Sequence, residues 1–144
     1  MLQAGSNDSG RGIRLSKISF RLSGIYGIAL LALMYFLEDR IGRDSPPAIT
    51  HPEFYYGFLG VTLAWQIAFL IVASDPLRYR PIMIAAMVEK FGYVVALALL
   101  AINHRVEGLP LAVFGGMDLI WGVLFLICYL RLSRHPGARS PENR

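Results

Sequence analysis

Catalytic motifs and disulfide partners are scarce in this sequence. It holds a single cysteine, Cys128, so no disulfide can form within the chain. It contains no CxxC pair, no GxGxxG or Walker-type loop and no HExxH motif, which are short signatures of redox, nucleotide and zinc chemistry. No serine, histidine and acid stand in a triad-like order with local support. The sequence therefore favours a non-catalytic protein over an enzyme and points to no cofactor.

Charged residues are also few. Only 17% of the 144 residues are Asp, Glu, Lys or Arg, whereas 55% are hydrophobic, and the mean hydropathy is +0.48. These values are too apolar for an ordinary soluble domain. The apolar residues form four blocks of about twenty residues, and a helix of that length spans a bilayer core of about 30 Å. The sequence therefore predicts a single-domain, all-α transmembrane four-helix bundle in the lipid bilayer, with spans at about residues 20–37, 54–73, 81–102 and 110–130.

Basic residues are concentrated beside the apolar blocks. The pI near 9.5 suits a nucleic-acid partner, but positions flanking membrane spans are better explained by orientation in the bilayer, so we expect no nucleic-acid binding. Apart from Lys90, ten Lys and Arg residues fall on one side and three on the other, which predicts cytoplasmic N and C termini. Residues 1–18 are predicted to be a disordered basic tail, and residues 132–144 a mobile tail. No A-x-A-like cleavage site follows the first block, so we expect an uncleaved first span.

Residues 51–93 contain two apolar blocks joined by a short polar turn. Thr50 and Glu53 have the spacing of a capping box, which predicts that the second span begins there. Arg78 and Arg80 lie in the turn, where we expect them to anchor the chain at the depth of the lipid phosphates.

Small residues recur every fourth position in two of the spans. Gly60, Ala64 and Ala68 form such a stripe on the second span, and this face is predicted to pack on another helix. Ser23 and Gly27 have the same spacing in the first span and would let a neighbouring helix approach closely.

Ionisable and polar side chains lie inside the apolar blocks at similar predicted depths. They form a predicted intramembrane polar network, which consists of Tyr26, Gln66, Glu89, Lys90, Tyr93 and Asp118. At about 1.5 Å per residue, all six fall about 10 to 18 Å from the cytoplasmic end of their helices. The network predicts a Lys90–Asp118 ion pair, with Glu89 bonded to Gln66 or Tyr26. One ammonium leaves one carboxylate charge unbalanced, so either Glu89 is protonated or a further cation is present.

This network has two interpretations. It either fixes the register and partner of the helices, or it lines a pocket or a proton path. Trp65 and Trp121 favour the pocket as possible ligand-lining residues, because indole prefers the membrane interface and its N–H needs a partner. Intramembrane ionisable residues are functional-site candidates by default.

The histidines give a weaker signal. His51 and His104 lie in the two outer loops, with Glu53 and Glu107 nearby, and together they could form a metal or proton site. A single H-x-E pattern is weak support, and loop histidines are usually solvated, so no metal site is predicted.

The strings HPEFYYGF, WQ, DPLRYRP and EKFG within residues 51–93 resemble small, uncharacterised bacterial membrane proteins of four spans with a DoxX-like layout. The first and last spans match them only in length and polarity. The resemblance implies a multi-pass protein of the bacterial cytoplasmic (inner) membrane, and it implies no reaction.

Two functional hypotheses follow from these patterns. The first is a non-catalytic accessory subunit or oligomeric component of a membrane complex, with a protein partner or a second copy packed against its helices. The alternative is a binding protein, transporter or enzyme for a hydrophobic small molecule such as a quinone, a sterol-like lipid or an amphipathic amine. In that alternative Glu89 is the proton-linked acid, and Lys90, Asp118 and Gln66 are polar lining.

Overall fold

The computed structural model of the chain describes residues 2–44, 48–106, 108 and 111–133. Within these residues the fold is helical and contains no strand. The elements in chain order are α1 (Leu2–Met34), α2 (Glu38–Asp44), α3 (Pro52–Ser74), α4 (Arg80–Ile102), a π-helical segment (Leu111–Gly115) and α5 (Gly116–Ser133).

Four helical stretches are long and apolar enough to cross a membrane. They are Gly10–Met34, Pro52–Ser74, Arg80–Ile102 and Ala112–Ser133, with mean hydropathies of 1.4 to 2.0. This confirms the predicted all-α bundle of four spans. The predicted spans 54–73 and 81–102 lie inside α3 and α4, whereas the first helix ends three residues before the predicted residue 37.

The first helix begins far earlier than the sequence predicts. The structure differs from the predicted disordered tail of residues 1–18, because α1 starts at Leu2. Gly12 is buried, and a Cβ atom placed on it would lie 3.4 Å from Cβ of Arg131 on α5. Ser16 is buried one turn later and donates a hydrogen bond to the Gly12 carbonyl. These small residues let α1 continue alongside α5, which favours helix over a solvated tail.

The four long helices pack in a ring in which each contacts two neighbours. α1 lies between α3 and α5, and α4 packs mainly against α5. α3 and α4 are consecutive, yet they touch each other much less than the other neighbouring pairs do. We call the end with Ser74 and Arg80 the basic end, and the end that carries α2 the loop end.

The tightest packing lies toward the basic end. Phe20, Phe69 and Phe125 are fully buried there; Phe20 and Phe125 stack with ring centroids 4.0 Å apart. Phe69 meets these two rings edge-on at 5.9 and 5.1 Å, a favourable geometry for aromatic pairs. The other buried residues of this core are Val72, Ala73, Met83, Ala86, Cys128 and Leu132.

Close approach of α1 and α3 depends on glycines of α1. A Cβ atom on Gly24 would lie 2.9 Å from the carbonyl oxygen of Gln66, and one on Gly27 would collide with the Gln66 side chain. The predicted close contact at Gly27 is therefore present. The predicted stripe on α3 behaves differently, because Gly60 and Ala64 are exposed and Ala68 is half-buried.

The helix ends follow the sequence patterns in part. The predicted capping box is wrong, because His51 occupies the N-cap of α3 and Glu53 accepts a hydrogen bond from His51 Nδ1 at 3.2 Å instead. Asp75 closes the turn after α3 by accepting a bond from the backbone N–H of Arg78. The helix start predicted at residue 110 and residues 134–144 of the predicted tail lie outside the described residues, whereas residues 132 and 133 belong to α5.

Candidate functional site

A cavity of about 340 Å³ lies between the four long helices in the loop half of the bundle. Ligand pockets in proteins typically measure about 300 to 1,000 Å³, so this one suits a small molecule. Its walls come from every long helix and from the π-helical segment. The lining residues are Ser23, Tyr26, Gly27, Leu30, Leu31, Met34, Phe58, Val61, Thr62, Trp65, Gln66, Glu89, Lys90, Tyr93, Phe114, Met117, Asp118 and Trp121.

Three charged residues line this cavity. Lys90 Nζ donates to Asp118 Oδ1 at 3.0 Å, which is the ion pair that the sequence predicts. The same ammonium donates to Glu89 Oε1 at 3.3 Å. The Lys90 side chain is 7% exposed, and the two carboxylate side chains are each 19% exposed. We call Glu89, Lys90 and Asp118 the charged cluster.

Packing beneath the charged cluster explains its position. Adjacent helical residues point about 100° apart, yet the long side chains of Glu89 and Lys90 curve so that their head groups meet. Lys90 Nζ lies 5.6 Å from the centroid of the Phe69 ring, within the range of a cation–π contact. Because Phe69 belongs to the aromatic core, the charged cluster lies where the packed basic half meets the cavity.

Gln66 does not make the predicted bond to Glu89. Its Nε2 donates instead to the carbonyl oxygen of Thr62, one turn earlier on α3, at 3.1 Å. The reason is steric, because Gln66 is buried against the glycine face of α1, where its side chain is held beside Gly27. The alternative partner, Tyr26, makes no bond to Glu89 either; its side chain lies on the cavity wall and is 41% exposed.

The remaining aromatic candidates also reach the cavity. Trp65, Tyr93 and Trp121 all line it, so the structure gathers every predicted member of the polar network and both tryptophans around one space. Trp121 Nε1 and Glu89 Oε2 are buried and have no hydrogen-bond partner within the described residues. Such unsatisfied buried atoms are rare, and each indicates strain, a missing water or a ligand.

Sequence reasoning missed most of the apolar walls. Phe58, Thr62 and Trp65 recur at helical spacing on one face of α3, and Leu30 and Met34 do so on α1. This periodicity was a usable signal for a shared face. It gave no signal for a cavity, because a packed core and an apolar cavity have the same pattern.

Phe114 was missed for another reason. It lies in the π-helical segment that precedes α5, and such segments are frequent at functional sites but have no simple sequence signature.

The predicted phosphate anchors have separate roles in the structure. Arg80 donates from Nη2 to Ser133 Oγ at 2.7 Å and lies 4.6 Å from the Tyr129 ring centroid, so it ties the start of α4 to the end of α5. Arg78 is exposed and lies over the ring of Tyr79. Because Arg78 is exposed, it is the better candidate of the two for an anchor at the lipid phosphates. This role stays a prediction.

The histidine pattern gives no built metal site. His51 is exposed and bonded to Glu53, while His104 lies in the turn after α4 with a positive φ of 53°. Glu107 lies outside the described residues. Among the described residues, no group of three or more His, Cys, Asp or Glu side chains could hold a metal ion.

Comparisons with known proteins identify no relative. No family model, no curated protein and no solved structure matches this chain. The DoxX-like resemblance and the predicted orientation therefore stay predictions. The function of the cavity is inferred below from its own residues.

Proposed function

We propose that this small integral membrane protein binds a hydrophobic small molecule in its cavity, with Glu89 as the intramembrane acid. The molecule belongs to the class that includes quinones, sterol-like lipids and amphipathic amines. The proposal places the protein in a bacterial cytoplasmic membrane, as the DoxX-like resemblance implies. Both termini are placed inside, which is supported by the distribution of Lys and Arg along the chain.

One observation carries this proposal. The charged cluster joins α4 to α5 through the Lys90–Asp118 pair and borders a cavity of about 340 Å³ on one side. Charges that serve only to hold helices together are expected to be sealed on all sides by protein, because exposure to lipid or an empty space is costly in the bilayer. Here the carboxylates of Glu89 and Asp118 are each 19% exposed beside apolar walls. A bound molecule with an apolar body and a polar group would cover both.

A matched pair of substitutions tests the proposal. Leu30 lines the cavity, whereas Leu33, three residues later on α1, is 56% exposed and lines no part of it. Leu30→Trp should fill the cavity, and Leu33→Trp should add the same indole to the outer surface. The measurement is native mass spectrometry of each protein extracted gently from its own membrane.

We expect one defined small-molecule adduct on the native protein and on Leu33→Trp, and its loss from Leu30→Trp. Absence of any adduct from the native protein would contradict the proposal. Equal retention by both variants would also contradict it, because the adduct would then lie outside the cavity.

The accessory-subunit hypothesis remains a second candidate. It is supported by the exposed stripe of Gly60 and Ala64 on α3, because small residues at this spacing are common where transmembrane helices meet. The same spectra test it. A defined assembly with a second copy or another protein would support this role, and a monomer that carries only a small molecule would exclude it.

A further inference from the structure

The geometry points to an organic cation as the ligand, namely a protonated amine on one apolar chain or ring system, whose ammonium pairs with the carboxylates that Lys90 leaves unbalanced. This inference rests on the proposed function, since it names the chemical class of molecule that occupies the same cavity.

The charge of the cavity is the first step. Among the described residues that line it, Glu89 and Asp118 carry two negative charges and Lys90 carries one positive charge. No arginine or histidine is present in this lining. The cavity with all three groups ionised therefore has a net charge of −1 in a medium of low dielectric, where an unbalanced charge is costly. A ligand with one positive charge would balance the site.

The hydrogen bonds of Glu89 are the second step. Its Oε1 accepts a hydrogen bond from Lys90. Its Oε2 is buried and also lies 3.3 Å from Lys90 Nζ, but it accepts no hydrogen bond within the described residues. A carboxylate can accept several bonds, and bonds to charged groups are the strongest. This oxygen is closed to solvent in the structure, so a ligand ammonium would reach it after the Glu89 carboxyl turns toward the cavity, and would there satisfy the oxygen and balance the charge together.

The walls determine the rest of the molecule. Above the charged cluster the lining is largely apolar and includes Leu30, Leu31, Met34, Phe58 and Phe114. Polar lining residues such as Ser23, Thr62 and Tyr93 carry oxygens that an inorganic cation could use, but such an ion would leave the apolar walls uncovered. They match a hydrocarbon chain or ring instead, so the positive charge belongs to an organic molecule.

Two other ligand classes fit less well. A phospholipid or a fatty acid would bring a phosphate or carboxylate beside Glu89 and Asp118, and the one lining cation already bonds to both of them. A volume of about 340 Å³ is also at the small end of ligand pockets, which favours one chain over two. A neutral quinone or sterol would balance the site only if Glu89 also took up a proton.

Tryptophan fluorescence can measure binding in this cavity. It has two tryptophans, Trp65 and Trp121, and both line the cavity. Bromine on an acyl chain quenches indole fluorescence on contact, so quenching reports chains that reach the cavity wall. The full-length protein in phosphatidylcholine nanodiscs would be titrated with dibrominated dodecylamine, and with the alcohol and the carboxylic acid of the same brominated chain. The amount of each brominated compound is expressed as its mole fraction in the membrane.

We expect saturable quenching by the amine at a mole fraction about tenfold or more below that needed for the alcohol, because a charge-assisted hydrogen bond is strong in this setting. The carboxylic acid should be weakest. Glu89→Gln should reduce the difference between amine and alcohol to about threefold or less, chiefly by weakening the amine. The matched control Glu53→Gln removes an exposed carboxylate outside the cavity and should leave all three curves unchanged.

The outcomes separate this inference from the proposed function. Saturable quenching that is equal for amine and alcohol would overturn the cation inference and leave a cavity that binds hydrophobic molecules. No saturable quenching by any of the three chains would overturn both. An amine preference that survives Glu89→Gln would overturn the assigned role of Glu89. If Glu89→Gln does not fold, the comparison of amine with alcohol on the native protein still tests whether the cavity prefers a cation.

Discussion

The two halves of the bundle use similar apolar residues, yet one half is packed and the other encloses a cavity. Toward the basic end, Phe20 and Phe125 are fully buried and stack at 4.0 Å. Toward the loop end, Phe58 and Phe114 line the cavity and are 51% and 41% exposed. Residue type alone therefore does not decide whether a transmembrane helix face packs.

The boundary between the halves coincides with the charged cluster. On the side of Phe69 the Lys90 ammonium rests against an aromatic ring, and on the other side the carboxylates border open space. Hydrocarbon side chains cannot satisfy a carboxylate, so closing the cavity with them would leave Glu89 and Asp118 to share Lys90 and would bring no further donor. We infer that the packed half holds the fold while the charged cluster keeps the open half available for a ligand.

The largest expected effect comes from removing the positive charge at the boundary. Lys90→Met keeps most of the side-chain volume but leaves Glu89 and Asp118 without their shared cation. Loss of one partner from a buried ion pair typically costs about 3 to 5 kcal/mol, so we expect a large fall in the free energy of unfolding. Denaturant unfolding of the purified protein in mild detergent measures it.

The control for Lys90→Met adds Glu89→Gln and Asp118→Asn, which remove both stranded charges. This triple variant should recover most of the lost stability, because it has no unpaired ion. Native-like unfolding of Lys90→Met alone would mean that the carboxylates do not depend on Lys90 and that the boundary is not held by charge.

The next prediction compares the same substitution in the two halves. Phe125 is fully buried in the aromatic core, and Phe114 lies on the cavity wall of the same transmembrane segment. Phe125→Ala should cost roughly 3 kcal/mol, because it opens a new cavity in a packed region. Phe114→Ala only enlarges an existing space and should cost much less. Equal losses in detergent unfolding would show that the two halves do not differ in packing.

The sequence predicted the fold better than the site, for physical reasons. Four apolar blocks of about twenty residues leave few alternatives to four spanning helices, because the bilayer requires internal backbone hydrogen bonding. The Lys90–Asp118 pair was also predictable, since buried opposite charges at one depth have little else to bond.

Side-chain partners within the site were less predictable. Whether Gln66 bonds to Glu89 or to its own helix depends on the approach of Gly27, which only the three-dimensional packing determines. The helical N-terminal segment was missed because its burial depends on a contact with α5, more than one hundred residues away along the chain; Gly12 meets Arg131 there. The polar network predicted a pocket as one of two alternatives, but the apolar walls of the cavity were missed because they have the periodicity of an ordinary core.

Glycine positions give the third test, with smaller effects of opposite sign. At the packed α1–α3 contact, Gly24→Ala would place a methyl group 2.8 Å from Leu70 Cδ2 and 2.9 Å from a backbone oxygen. The helices must move apart, so we expect a loss of about 1 to 3 kcal/mol. Gly92 on α4 is exposed with nothing within 4 Å, and Gly92→Ala should stabilise by up to about 1 kcal/mol through helix propensity. Thermal melting of the two variants in one detergent checks both signs; destabilisation by Gly92→Ala would reveal a contact of that face with another chain.

The smallest predicted effect concerns the hydrogen bond that joins α3 to the end of α1 at the loop end. Tyr55 donates from its hydroxyl to the carbonyl oxygen of Met34 at 2.7 Å, and this carbonyl in the last turn of α1 also accepts from the backbone N–H of Leu37 at 3.1 Å. Removing the Tyr55 hydroxyl therefore loses one hydrogen bond between α3 and α1 without leaving the carbonyl unpaired. Tyr55→Phe should therefore cost about 1 kcal/mol. Tyr56→Phe is the matched control, because its bond to Glu38 is exposed and water can replace it, so its melting temperature should change less. A larger shift for Tyr56→Phe would mean that α2, rather than the end of α1, holds the loop end over the cavity.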